Sequence, residues 1–159
     1  MKISLRKLNQ FDVEDFILWM NDEGILALTT GTPEKFSEDD LKKCFFKMVN
    51  SKNDFHYTIL LGEKPIGLVS LIKDRTGNHK MQLVIGDKSC WSKGYDMEAI
   101  KQLVEVVKQE GEDVKIYLEV KPESTRSIAA FASYGFIPTK SKRYPSDEHF
   151  PKSLKMELS

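Results

Sequence analysis

The residues best placed for chemistry lie in a glycine-containing loop that runs into a predicted helix. Residues 91–97, WSKGYDM, follow the strand-like residues 79–86 and precede a long helical pattern. Such a loop leaves several backbone N–H groups unpaired and converging, and the helix dipole adds positive potential, so the loop suits a phosphate or pyrophosphate. A plain tight turn also fits, because many strand-to-helix junctions contain a glycine. The chain contains neither GxxxxGK[ST] nor GxGxxG.

Other reactive side chains form no recognisable catalytic or metal-binding pattern. His56, His79 and His149 are scattered without an HExxH spacing, which favours strand or surface histidines over ligands. Cys90 precedes the loop with no histidine at a telling position, so a small filler role is favoured over a nucleophile. Cys44 and Cys90 lie far apart and in no CxxC pattern, so neither a disulfide framework nor a zinc site is expected. No metal is predicted.

Two helices are predicted to follow a first strand over residues 2–8. Asp12 is expected to N-cap the first helix, whose apolar positions are Val13, Phe16, Ile17 and Met20. Ser37 is expected to open the second helix, and acidic residues in its first turn suit the helix dipole. The apolar stripe of that helix comprises Leu41, Cys44, Phe45, Met48 and Val49.

Three adjacent strands then lead into the loop. Strand patterns cover residues 55–61, 66–72 and 79–86, and the helix after the loop has an inner face of Ala99, Ile100, Leu103, Val104 and Val107. A dense strand, VKIYLEV, is followed by a short helix that begins with Pro122 and ends at Gly135, and FPKSLKMEL is a plausible last strand. The order β-α-α-β-β-β-α-β-α-β-β predicts one mixed α/β (α+β) domain over residues 1–159.

Composition limits the class of protein. Lys+Arg and Asp+Glu both number 24 in 159 residues, so the net charge is zero, which argues against a nucleic-acid-binding protein. The N-terminus has no signal-peptide pattern, and no apolar run reaches membrane-helix length, so no membrane association is expected. A cytoplasmic protein is predicted.

Several segments together resemble one known family. Residues 83–107, LVIGDKSCWSKGYDMEAIKQLVEVV, resemble the acetyl-CoA-binding segment of the GNAT acetyltransferase superfamily, particularly the branch of ribosomal-protein alanine acetyltransferases. Residues 116–136 are similar to its strand–helix pair with the pattern N-x-x-(A/S)-I-x-x-Y-x-x-x-G-F. The hairpin EKPIGLVSL and the N-terminal residues 3–22 also resemble the family, so the resemblance covers nearly the whole chain in order.

The resemblance implies a mixed, mostly antiparallel sheet with flanking helices and acetyl-CoA in a splay between the middle strands. It places the backbone of Val84, Ile85 and Gly86 against the pantetheine and the thioester carbonyl, where an N–H would stabilise the oxyanion. The implied pyrophosphate loop comprises Trp91, Ser92, Lys93, Gly94, Tyr95, Asp96 and Met97. The helix after residue 124 would flank the coenzyme arm with Ser124, Ser127 and Phe131.

The chain departs from the family pattern in the loop and in the last helix. Asp96 occupies the second small position of (Q/R)-x-x-G-x-(G/A), where a carboxylate adds bulk and repels pyrophosphate. Asp96 is also a good helix-start residue that satisfies local amides, which is the favoured interpretation, and both roles can hold at once. Ser124 replaces the usual Asn, and Phe131 replaces the Tyr that protonates the departing thiolate.

Two residues are candidates for the catalytic proton transfers. Lys80 stands where many relatives carry a glutamate, and a protonated lysine cannot accept the amine proton. Glu119 matches a base used in part of the alanine-acetyltransferase branch, and an ordinary strand glutamate is the alternative. Tyr134 lies three residues after Phe131, partly on the same helix side, and is a candidate acid or a half-buried packing residue.

The resulting hypothesis is an N-acetyltransferase that moves an acetyl group from acetyl-CoA to a primary amine by direct attack. The alternative is a GNAT-like binding or regulatory module with weakened catalysis, because Lys80, Asp96 and Phe131 each remove a common catalytic feature. Acceptor specificity is expected from residues 20–50 and 138–152, which suit a peptide N-terminus, a polyamine or an amino sugar. The chain is expected to be a monomer or homodimer.

Overall fold

The structure, a computed structural model, describes residues 2–25, 37–111, 114–142 and 153–158. In chain order the described elements are β1 (Ile3–Lys7), a 3-10 turn (Gln10–Asp12), α1 (Val13–Met20), α2 (Glu38–Val49), β2 (Phe55–Leu61), β3 (Lys64–Lys73), β4 (His79–Ile85), a 3-10 turn (Lys88–Cys90), α3 (Tyr95–Gln109), β5 (Ile116–Val120), α4 (Thr125–Tyr134), β6 (Phe136–Lys142) and β7 (Ser153–Leu158). This order of helices and strands confirms the sequence prediction. None of the helices in these ranges is long and apolar enough to cross a membrane.

The strands form one seven-stranded sheet with the order β1-β2-β3-β4-β5-β7-β6. Neighbouring strands are antiparallel, except β4 and β5, which are parallel. The two parallel strands are joined by the crossover helix α3, as parallel neighbours require. The predicted fold class, a mixed and mostly antiparallel sheet with flanking helices, is therefore confirmed.

The larger hydrophobic core lies between the sheet and α3. The predicted inner face of α3 is fully confirmed, since every one of its members is buried: Ala99, Ile100, Leu103, Val104 and Val107. Strand residues on the opposing face include Ile59, Val69, Leu71 and Met81. Cys90 is buried in the same core, which agrees with a filler role.

A smaller core lies on the other face of the sheet, under α1 and α2. It contains Phe16 and Phe45, whose ring centroids are 5.3 Å apart, together with Trp19 and Leu68. Trp19 is buried although it was not part of the predicted apolar stripe of α1. Cys44, predicted to lie on the apolar stripe of α2, is exposed, because the buried contact of α2 is narrower and centres on Leu41 and Phe45.

The helix boundaries confirm two of the predicted helix ends, at Ser37 and Gly135. The Ser37 side chain accepts a hydrogen bond from the Asp40 amide at the start of α2, as expected. Gly135 ends α4 with a φ of 124°, which only glycine adopts without strain. The start of α4 differs from the prediction, because its first helical residue is Thr125 and Pro122 lies in the preceding turn.

Asp12 does not cap α1 through its side chain, which corrects the sequence prediction. Its carboxylate instead forms a partly buried ion pair with Arg6 at 2.8 Å and accepts hydrogen bonds from the Thr58 hydroxyl and the Asn9 amide. Burial alone would raise the pKa of Asp12, but these donors outweigh it and lower the pKa. Asp12 thus ties β1, β2 and the start of α1 together.

We expect Asp12→Asn to lower the free energy of unfolding by about 2 kcal/mol, because it removes the charge that these donors satisfy. Asp15→Asn is the control, since burial and the neighbouring carboxylates of Asp12 and Glu14 raise the pKa of Asp15, and neutralising it should not destabilise the fold. Urea denaturation at pH 7 measures both changes. Equal stabilities of the two variants would contradict the role given to Asp12.

Candidate active site

A gap opens in the sheet where β4 and β5 stop pairing. The two strands pair only at His79 with Ile116 and at Lys80 with Tyr117, and the His79 amide donates to the Lys115 carbonyl at 2.8 Å. Beyond these residues neither strand forms a ladder with the other. The C-terminal half of β4 therefore has no strand partner on the side that faces β5, and this unpaired side is called the gap.

Two peptide groups show how the end of β4 is oriented. The Gly86 amide donates to the Ile66 carbonyl of β3 at 2.7 Å, so the Ile85 carbonyl in the same trans peptide points away from β3. A Cβ on Gly67 of β3 would overlap the Val84 carbonyl oxygen, so that carbonyl points toward β3 and the Ile85 amide points away. Both polar groups of Ile85 thus point toward the gap.

This orientation separates the three strand residues assigned by resemblance. Ile85 presents its backbone N–H to the gap, as the assignment requires. The Gly86 amide is bonded within the sheet and cannot serve a thioester, because the chain turns there toward β3. The Val84 carbonyl points toward β3, and the Val84 side chain packs in the smaller core.

The Trp91 side chain reaches back to the end of β4. Its indole Nε1–H donates to the Ile85 carbonyl at 2.8 Å, and its ring packs against the smaller core. The Trp91 amide donates to the Lys88 carbonyl at the end of a 3-10 turn, so it is not free for a phosphate. Of the residues 91–97 predicted to hold a pyrophosphate, Trp91 therefore has a backbone amide that is already bonded.

Residues 92–97 form a row of available amides at the start of α3. None of their backbone N–H groups donates to any residue that the structure describes. Ser92 has a φ of 63° and Gly94 a φ of 79°, and such positive φ angles turn successive amides toward one side of the loop. Gly94 is the N-cap residue of α3, a helix of 15 residues whose dipole points at this loop. Unbonded amides at a helix N-terminus are an arrangement that could hold an anion.

Acidic residues lie in the same turn of α3. Asp96 and Glu98 occupy its first turn, where negative charge stabilises a helix start, and both side chains are exposed. Lys93 is exposed in the loop itself. A phosphate bound here would therefore meet both one nearby cation and two nearby carboxylates.

Glu119 and Lys80 lie together at the mouth of the gap. The Lys80 Nζ is 3.3 Å from the Glu119 Oε2, and the Glu119 side chain is only 12% exposed. The position that carries a lysine in β4 is thus compensated by a carboxylate from β5. The structure brings the proposed base to the gap and gives it a cationic partner.

The remaining polar groups on this face of β5 and β7 form a supporting network. The Lys155 Nζ lies 4.5 Å from the centre of the Tyr117 ring and 3.3 Å from the Glu157 Oε1. The Tyr117 hydroxyl donates to Asp74 at 2.9 Å, and hydrogen bonds from the Thr76 hydroxyl and from Tyr117 lower the pKa of Asp74 to about 2. Since Lys155 is opposite Glu119 in the ladder, this face carries charges of both signs.

The predicted residues of α4 lie on the α3 side of the sheet. Phe131 and Tyr134 each pack against Phe136, with ring centroids 5.9 and 6.1 Å apart. Burial and the carboxylate of Glu105, in the middle of α3, raise the pKa of Tyr134. Ser124 is the N-cap residue of α4 and Ser127 is exposed in its first turn.

The histidines lie away from the loop. The buried His56 Nδ1 is 2.7 Å from the Ser70 hydroxyl, and burial lowers the pKa of His56. His79 is buried at the start of β4, at the opposite end of that strand from the loop, and His149 lies outside the described residues. Within the described ranges, no group of three or more His, Cys, Asp or Glu side chains could hold a metal ion.

The family model for the acetyltransferase (GNAT) domain matches residues 2–137. The chain belongs to the GNAT family. The match includes β4, the loop of residues 92–97 and α4. The match does not confirm the narrower ribosomal-protein branch.

Solved structures show the same fold. A spermidine N-acetyltransferase from Vibrio cholerae in complex with CoA and spermine matches with a TM-score of 0.84 and 18% identity, covering 99% of this chain and 95% of that one. The aminoglycoside acetyltransferase AAC(6')-Ib in complex with coenzyme A and kanamycin matches with a TM-score of 0.81, 18% identity and the same coverage. A GNAT acetyltransferase from Bacillus anthracis gives 0.81 and 17% identity, with 99% and 95% covered. At these identities the likeness concerns the fold.

Sequence reasoning missed the contact between Gly86 and Trp19. A Cβ on Gly86 would overlap the Trp19 ring, so α1 packs directly on the end of β4. The GNAT resemblance assigned Gly86 to the coenzyme, whereas its structural role is to admit this indole. A buried tryptophan near a glycine carries no signal in the sequence, because residues 19 and 86 are far apart in the chain.

We expect Gly86→Ala to destabilise the protein by about 1–3 kcal/mol through overpacking against Trp19. Chemical denaturation measures the loss, and near-UV circular dichroism reports the displaced indole. In a Trp19→Leu background the same substitution should cost clearly less, which a double-mutant cycle detects. Strictly additive costs would mean that the two residues do not oppose each other.

Proposed function

We propose that this GNAT protein transfers an acetyl group from acetyl-CoA to a primary amine. The observation that carries the proposal is the row of available amides over residues 92–97 beside a gap toward which the Ile85 N–H points. The first feature suits a pyrophosphate, and the second suits a thioester carbonyl. Few other ligands carry a pyrophosphate and a reactive carbonyl at the two ends of one extended chain.

The coenzyme would bind with its pyrophosphate on the amides of Ser92 to Met97 and its pantetheine in the gap. Ser124, Ser127 and Phe131 on α4 would flank the arm. The Ile85 N–H would donate to the thioester oxygen and become a stronger partner as negative charge develops there. Such a donor, fixed by the sheet, requires no reorganisation during the reaction.

The reaction would proceed by direct attack. The amine nitrogen forms a bond to the acetyl carbon, the carbon–sulfur bond breaks, and coenzyme A leaves as a thiolate. Glu119 would accept a proton from the attacking ammonium, directly or through one water. The thiolate would regain a proton from the reacting amine or from a side chain, for which Tyr134 is the candidate on α4.

The acceptor is proposed only as a primary amine. Glu119 would attract a cation to the gap, and its partner Lys80 limits the net negative charge there. Spermidine and aminoglycoside acetyltransferases share this fold, which supports a small amine, and the ribosomal-protein branch suggested by resemblance supports a peptide N-terminus. No cofactor other than acetyl-CoA is proposed.

Titration calorimetry with acetyl-CoA, followed by a free-thiol release assay, tests the function. The assay would use an alanine-terminated peptide, spermidine and kanamycin as acceptors. Binding with amine-dependent thiol release supports the enzyme. Binding without release from any amine supports the alternative of a GNAT-like binding or regulatory module, and no binding at high micromolar acetyl-CoA would exclude coenzyme use.

Replacement of Asp96 should strengthen coenzyme binding, because its carboxylate opposes the pyrophosphate. We expect Asp96→Gly and Asp96→Asn both to tighten acetyl-CoA binding severalfold, since a nearby charge in water contributes on the order of 1 kcal/mol. Glu105→Gln, on an exposed position in the middle of α3, is the control. Unchanged or weaker affinity of both Asp96 variants in calorimetry would refute this effect.

Replacement of Glu119 should affect the chemical step more than binding. We expect Glu119→Gln to lower kcat about 100-fold with an accepted amine, the usual contribution of a general base, while acetyl-CoA affinity changes little. Glu157→Gln, on the neighbouring strand, is the matched control and should stay within a few-fold of the native rate. Equal rates for the two variants would remove Glu119 from the mechanism.

A further inference from the structure

The backbone of Ile85 presents both a hydrogen-bond donor, its N–H, and an acceptor, its C=O, to the proposed thioester site. Its N–H would attract the thioester oxygen, but its own carbonyl points away from β3 as well. In an extended strand the N–H and C=O of one residue lie on the same side, so both groups of Ile85 face the gap. An uncovered carbonyl oxygen there would repel the developing negative charge that the N–H stabilises.

The Trp91 indole caps the Ile85 carbonyl. Its Nε1–H donates to the Ile85 carbonyl at 2.8 Å, and the indole N–H is a donor with no acceptor function. The ring is held in place by the smaller core, which also contains Trp19 and Val84. The orientation of the donor is therefore set by packing rather than by the loop alone.

We propose that Trp91 is a positioning residue that caps the Ile85 carbonyl, so that Ile85 offers the thioester its N–H alone. This inference rests on the proposed function. It assigns to the Trp91 side chain a role distinct from pyrophosphate binding, for which its amide is already occupied. The cap acts on the thioester and not on the rest of the coenzyme.

The cap therefore predicts that replacing Trp91 reduces the preference of the protein for acetyl-CoA over CoA. Acetyl-CoA has the thioester carbonyl and CoA does not, so removal of the indole N–H should weaken acetyl-CoA and spare CoA. We expect Trp91→Phe to reduce the ratio of acetyl-CoA to CoA affinity about fivefold, the usual effect of one hydrogen bond. Phe45→Leu, a substitution in the same core whose ring contacts Phe16 and Phe46, should leave the ratio unchanged.

Calorimetry with acetyl-CoA and with CoA measures the ratio for the native protein and both variants. Infrared spectroscopy of carbonyl-labelled ¹³C-acetyl-CoA adds a direct readout, because a polarised carbonyl stretches at lower frequency. We expect part of that frequency shift to be lost in Trp91→Phe and kept in Phe45→Leu. Trp91→His, which retains an N–H donor, should keep more of the shift. Trp91→Leu, which also lacks a donor, replaces Trp91→Phe if the latter does not fold.

The outcomes separate this inference from the proposed function. If the native protein binds acetyl-CoA and Trp91→Phe weakens acetyl-CoA and CoA equally, with an unchanged carbonyl frequency, the cap is refuted and the function stands. If the native protein binds neither ligand, the proposed function fails and the cap with it. A loss confined to acetyl-CoA supports both.

Discussion

The site depends on how briefly β4 and β5 pair. Their parallel ladder has only two residue pairs, whereas β4 has seven with β3, and β5 has five with β7. Each strand is therefore fixed by its other neighbour, and the gap between them needs no contact of its own to persist. The crossover helix α3 spans the two strands and buries its stripe against the core, which keeps them in one sheet.

The gap has an energetic consequence for the backbone around it. Strand groups that face a missing neighbour need another partner, because a buried unpaired N–H or C=O is costly. The molecule supplies one from within, the Trp91 indole on the Ile85 carbonyl, and leaves the Ile85 N–H facing the space. The same division recurs in the loop, where the Trp91 amide is bonded and the amides of 92–97 are available. The proposed ligand contacts therefore use backbone N–H groups that the fold leaves unbonded.

Local periodicity was enough to predict the elements and their order. The stripe of α3 repeats at helical spacing, and the β-branched run before α4 indicates a strand, so both were predicted from the residues alone. Contacts between residues distant in the chain were not predicted. Asp12 was expected to cap a helix, but its carboxylate pairs with Arg6 and Thr58, because the sheet register brings β2 beside β1. The Gly86 contact with Trp19 has the same origin.

The two charged residues that depart from the family pattern, Lys80 and Asp96, have different physical consequences. Lys80 does not leave the gap without a carboxylate, because Glu119 reaches it from the neighbouring strand, just where the ladder ends. That ion pair joins the strands at the point where they separate and keeps the acid near the gap. Among the residues that the structure describes, Asp96 forms no ion pair of this kind. It favours the start of α3 through the same dipole that would hold a pyrophosphate, so helix stability and anion affinity compete for one turn of backbone.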